Sequence, residues 1–65
     1  MKILVNGAWL ETNAGDLAAA LLELGYGDAV VATALNSEFV PADSRSSARL
    51  VDGDRVEILA PMQGG

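Results

Sequence analysis

The sequence predicts an α+β fold, a mixed sheet of four to five strands with one main helix packed on one face. Three observations carry that expectation. Apolar, β-branched runs open and close the chain, at Ile3-Leu4-Val5 and Val56-Glu57-Ile58-Leu59. One Ala- and Leu-rich stretch, Leu17 to Leu24, is bracketed by Asp16 and Gly25. Between the first two strand-like runs stands Asn6-Gly7, the strongest short hairpin signal, because both central positions of a type I′ turn need positive φ.

Taken in order, Met1 to Val5 is a strand by β-propensity, with Ile3 and Val5 on one face. Ala8 to Thr12 returns antiparallel to it. Asn13-Ala14-Gly15 breaks the strand, and Asp16 is placed to cap a helix, since its carboxylate accepts from the free N–H groups of the first turn. Leu17, Leu21 and Leu24 fall at i, i+4 and i+7, one apolar stripe. Gly25 sits where a C′ glycine belongs. Such a helix is too short to persist alone and must pack on the sheet. Val30 to Leu35 is a third strand; period alone does not settle its inward face, with Val31, Thr33 and Leu35 the favoured set, and Asn36-Ser37 is a turn. Glu38-Phe39-Val40 is a short fourth strand ended by Pro41, which cannot donate to a ladder. Ala42 to Ala48 has no period and reads as a surface loop with room for one helical turn. Asp52-Gly53-Asp54 is a turn. Arg55 to Ala60 is the last strand, with Val56, Ile58 and Ala60 on one face. The first and last strands are the most apolar, so they are expected at the centre of the sheet, paired in parallel. That places the chain's end at one edge of the sheet, pointing away. Residues 1–60 form one domain, and residues 61–65 a flexible tail.

Composition narrows the chemistry. Sixty-five residues, 51% of them apolar, suffice for a single core. With only Trp9, Tyr26 and Phe39 as aromatics, that core must be built from Val, Ile, Leu and Ala. The sequence has no Cys and no His, which removes disulfides, thiolate metal sites, zinc sites of the usual ligands and His-based acid–base catalysis. The lack of Cys and of a signal peptide points to the cytoplasm, and no apolar run approaches a membrane span. Net charge is −5 with four scattered cations, Lys2, Arg45, Arg49 and Arg55. Phosphate contacts need Lys and Arg, so nucleic acid is a poor partner. The carboxylate excess suits solubility, and also a basic protein surface.

No catalytic set emerges from the folded body. Asp52 and Asp54 are explained by turn chemistry, and Glu11 and Asp16 by a strand end and a cap. Ser44, Ser46 and Ser47 have no His to activate them. Met62 is a single thioether, a packing or contact residue rather than a metal site. Asn6-Gly7 lacks the spacing and Lys of a phosphate loop. What remains is the end of the chain, Pro61-Met62-Gln63-Gly64-Gly65. It follows directly on a strand, so the terminal carboxylate is held within about 16 Å of a rigid element, five residues at roughly 3.3 Å each. Glycine lacks a Cβ, fits a narrow channel and adopts backbone angles closed to other residues. A Gly-Gly end can therefore enter another protein's active site and present its carboxylate there. Once joined to AMP, that carboxylate becomes an electrophile. A sulfur nucleophile would leave a thiocarboxylate; an amine or thiol of another protein would leave an amide or thioester.

Val5-Asn6-Gly7, Ala34-Leu35-Asn36 with Val40-Pro41 following, Asp52-Gly53-Asp54-Arg55-Val56-Glu57-Ile58 and the final Gly64-Gly65 together resemble the ThiS/MoaD family of sulfur carriers. The resemblance spans nearly the whole chain. The Asp-Gly-Asp turn and Gly-Gly end are shared by the thiamine and molybdopterin branches; the Ala-Leu-Asn and Val-Pro pieces and the chain length favour the thiamine branch, ThiS. The resemblance implies a β-grasp, ubiquitin-like fold and a carrier with no bound cofactor, not an enzyme. It implies that a ThiF-like adenylating enzyme uses ATP and magnesium to adenylate Gly65, with Gly64 giving access. Sulfur then arrives from a cysteine desulfurase persulfide, and the Gly65 thiocarboxylate gives it to a ThiG-like thiazole synthase. Alternatives with the same tail are a molybdopterin-synthase small subunit, a ubiquitin-like protein modifier and a binding module whose tail is inert. The sheet face away from the helix is expected to expose Leu4, Ala34 and Leu59 near the arm's root as a partner surface, with Met62 beyond them.

Overall fold

The computed structural model describes residues 1–61. Elements follow in the order β1 (Lys2–Val5), β2 (Ala8–Glu11), α1 (Leu17–Glu23), β3 (Ala32–Leu35), β4 (Glu38–Val40), a 3₁₀ segment (Ala42–Ser47) and β5 (Arg55–Leu59). They form one five-stranded mixed sheet in the order β2-β1-β5-β3-β4. β1 and β5 pair in parallel at the centre; β1–β2, β3–β4 and β3–β5 are antiparallel. This is the β-grasp arrangement, and the expected central parallel pair is present.

The two hairpins carry its local logic. Asn6 and Gly7 have φ of 49° and 85°, and Asn36 and Ser37 have φ of 50° and 74°. Both are two-residue turns with two positive φ values, the backbone that follows the natural twist of a hairpin. The registers follow: Val5 faces Ala8 and Leu4 faces Trp9; Leu35 faces Glu38 and Ala34 faces Phe39.

One face of the sheet is covered. α1 is capped as expected, with the Asp16 carboxylate accepting from the Ala19 N–H at 2.8 Å. The core is Ile3, Val5, Ala14, Leu17, Ala20, Leu21, Leu50, Val56 and Ile58, without an aromatic. Leu24 packs at its margin. Gly25 is left-handed, φ 90°, where a C′ glycine ends a helix.

Three expectations are corrected. The third strand begins at Ala32, and Val30 lies outside it, 81% exposed, because β5 has no partner for it beyond Leu59. Ala60 likewise lies past the last paired residue and is exposed rather than inward. The chain leaves from the end of the central strand, flanked by β1 and β3, not from a sheet edge. Residues 42–47 lie on the surface as expected, and the helical turn there is a 3₁₀ segment beside α1. From it Arg45 donates through Nε to Thr33 Oγ1 (3.1 Å) and through Nη2 to the Val31 carbonyl (2.6 Å). The buried Thr33 hydroxyl donates onward to the Val40 carbonyl at 2.8 Å.

Candidate functional site

The second face of the sheet is uncovered, and this positions the candidate site. Strand alternation turns Leu4, Trp9, Ala32, Ala34, Phe39, Arg55, Glu57 and Leu59 away from the helix. Leu4, Ala34 and Leu59 line one shallow concavity of about 420 Å³ together with Phe39, Arg55 and Glu57. The three residues expected there are thus brought together, but not equally displayed. Leu59 is 72% exposed, whereas Leu4 and Ala34 are half-buried and form the floor. Trp9 faces Leu4 across one hairpin and Phe39 faces Ala34 across the other, 58% and 69% exposed. These two rings hold the largest exposed apolar area on that face, and sequence reasoning did not single them out. The signal was available: two-residue turns fix both hairpin registers, so each ring's face follows from its distance to the turn.

Leu59 is the last residue of β5; Ala60 and Pro61 follow, both exposed. The apolar face therefore reaches the root of the C-terminal segment. Met62, Gly64 and Gly65, the remaining residues singled out in the sequence, lie outside the described residues.

Asp16, Asp52 and Asp54 are spent on structure. Asp52 Oδ1 accepts from the Lys2 N–H (2.7 Å), and Asp54 accepts from the Val51 N–H (2.9 Å) and Asn36 Nδ2 (3.0 Å). Asp-Gly-Asp is a turn that ties the start of β5 to β1 and to the second hairpin. Ser44 has only Asp43 beside it, at 3.5 Å. Among the described residues no three Asp or Glu side chains gather into a cation site, and no helix is long and apolar enough to cross a membrane.

The ThiS family model matches residues 3–65, nearly the full chain and through both terminal glycines. The chain belongs to the ThiS family. A solved structure titled as the thiamine biosynthesis protein ThiS of Geobacter metallireducens superposes with a TM-score of 0.83 at 29% identity, covering all of both chains. Over 66 aligned residues the chain is 39% identical to a thiazole synthase of Paramagnetospirillum magneticum. All of the chain takes part in that match, but it spans only a fifth of the relative's length. For a ThiS-family chain, the uncovered face and the segment rooted beside it are the two features to explain.

Proposed function

We propose that this chain is a sulfur carrier for thiazole formation in thiamine biosynthesis, with the Gly65 carboxyl as its working group. The observation that carries the reading is the family match running through Gly64 and Gly65, in a chain whose last described strand is central and whose Asp16, Asp52 and Asp54 are already engaged in a cap and a turn.

The chemistry replaces one oxygen by sulfur at the Gly65 carbonyl carbon. A carboxylate oxygen of Gly65 attacks the α-phosphate of ATP in a ThiF-like partner, and pyrophosphate leaves. The acyl-adenylate then meets a persulfide sulfur drawn from cysteine by a desulfurase; AMP leaves with the electron pair of the C–O bond. A thiol reduces the resulting acyl disulfide and frees the thiocarboxylate. In a ThiG-like thiazole synthase that sulfur passes to the forming ring. ATP and magnesium belong to the activating partner. The chain binds no cofactor in this scheme and works in the cytoplasm. Glycine at positions 64 and 65 keeps the approach to the reacting carbon free of Cβ atoms.

The uncovered face supplies the docking surface. Leu59, Trp9 and Phe39 are the anchors, Leu4 and Ala34 the floor, and Met62 a further contact along the segment. Large exposed aromatic and aliphatic side chains grouped on one face suit a protein partner. The thiazole synthase of Paramagnetospirillum supports that partner choice, because a stretch similar to the whole of this chain occurs within a protein named for thiazole formation.

The test is intact mass after incubation with the adenylating enzyme, MgATP and a persulfide source. The reading expects a gain equal to sulfur minus oxygen, absent when Gly65 is deleted. A covalent adduct to lysines of other proteins, resistant to thiols, would instead make the chain a modifier.

A further inference from the structure

β1 ends before β5 does. Along β5 the carbonyl of Asp54 accepts from the Leu4 N–H (2.9 Å) and that of Val56 from the Asn6 N–H (3.0 Å). The next carbonyl in this series is that of Ile58, and by then the chain has turned away into the Asn6-Gly7 hairpin. The gap is filled by the Asn6 side chain. Its Nδ2 donates to the Ile58 carbonyl at 3.1 Å, and its Oδ1 accepts from the Ile58 N–H at 2.8 Å. A carboxamide carries the same donor and acceptor as a peptide group, so the ladder runs one further step without a strand to make it. On the opposite flank β3 stays paired up to Leu59. Without Asn6, β5 beyond Val56 would be held from one side only, three residues before the exposed Pro61.

We propose that Asn6 is a positioning residue for carrier activation: its side-chain amide stands in for a missing peptide group of β1 and holds β5 on line through Ile58, fixing the direction in which the chain leaves the sheet. This rests on the sulfur-carrier reading above. Serine is too short to make both bonds, and aspartate keeps the acceptor but turns a lone pair toward the Ile58 carbonyl. Asn6 is also left-handed, φ 49°, so alanine would add backbone strain to the loss of the bonds. Glycine removes the side chain while keeping a turn that tolerates positive φ at both positions.

The experiment compares wild type with Asn6→Gly and Asn6→Asp by amide hydrogen exchange and by ATP–pyrophosphate exchange with the adenylating enzyme. For Asn6→Gly, protection of the Ile58 amide should fall about tenfold while that of Val56 is unchanged. The kcat of activation should fall about tenfold with KM within about twofold, because the apolar anchors Leu59, Trp9 and Phe39 are unchanged, although Asn6 lines the same concavity. Asn6→Asp should restore part of the Ile58 protection. Uniform loss of protection across the sheet, or an unchanged kcat beside a selective loss at Ile58, overturns the proposal. If wild type itself is never adenylated, the carrier reading fails, and the Ile58 exchange still decides whether Asn6 holds the strand.

Discussion

Asn36 and Arg55 exchange two hydrogen bonds. The Asn36 N–H donates to the Arg55 carbonyl at 2.8 Å, and the Arg55 N–H donates to Asn36 Oδ1 at 2.9 Å. The same side chain reaches Asp54 with its Nδ2, so one residue at the tip of the second hairpin holds the start of β5. Asn36→Ala removes both side-chain bonds, leaves the buried Asp54 with one donor fewer and forces alanine into φ of 50°. A loss of about 2–3 kcal/mol is expected. It is read as a lowered urea midpoint at constant m; a change below about 0.5 kcal/mol would mean that the turn is held by other groups.

Ser37 occupies the second position of that turn with φ of 74°. A non-glycine residue there carries about 1–2 kcal/mol of steric cost, against about 0.5–1 kcal/mol of chain entropy for glycine. Ser37→Gly should therefore stabilise the domain by roughly 0.5–1 kcal/mol. Thermal unfolding reads the sign directly, and a fall in Tm would refute the strain argument.

Arg45 is the clamp between the 3₁₀ segment and β3. Arg45→Ala removes charge-assisted bonds to Thr33 and Val31 and should cost about 1–3 kcal/mol. Arg45→Lys should recover less than half of the loss, since a single ammonium has no rigid fork with which to reach both acceptors. Full recovery by lysine would show that charge alone matters. The two variants are compared by denaturation.

The proposed docking face makes a separate demand. Leu59→Glu alters a residue 72% exposed, so stability should stay within about 0.5 kcal/mol. Affinity for the adenylating enzyme should fall at least about tenfold, the cost of burying an unpaired charge among apolar anchors. Calorimetric titration with the folded variant checks this; unchanged affinity would move the interface elsewhere.

Much of the fold could be read because its determinants are local. Asn6-Gly7, Asp16, Gly25 and the Asp52-Gly53-Asp54 turn each act within a few residues, and each forms the element it signals. The alternation of Ile3 with Val5 and of Val56 with Ile58 fixed which sheet face is covered. What escaped is long-range. Arg45 meets Thr33 across a separation of twelve residues, and Asn6 meets Ile58 across fifty-two. No turn-length window of sequence contains either pair, so the run at 42–48 reads only as a surface loop with room for one helical turn, and Asn6 only as a turn residue. At the site, the outward face of Leu4 and Leu59 was legible from period, whereas period alone did not settle the face of Ala34 in the run Val30 to Leu35. The half-burial of Leu4 and Ala34 was not legible, because it depends on flanking side chains on neighbouring strands.

In the proposed cycle the terminal carboxyl is the group that changes, so the decisive measurement is where the sulfur sits. The carrier is incubated with the adenylating enzyme, MgATP and isotopically labelled persulfide, then digested and sequenced by tandem mass spectrometry. The account predicts label on the C-terminal peptide alone, at the Gly65 carbonyl, and none in a chain lacking Gly65. Label on any side chain of residues 1–61, or label that persists after Gly65 is removed, would contradict it.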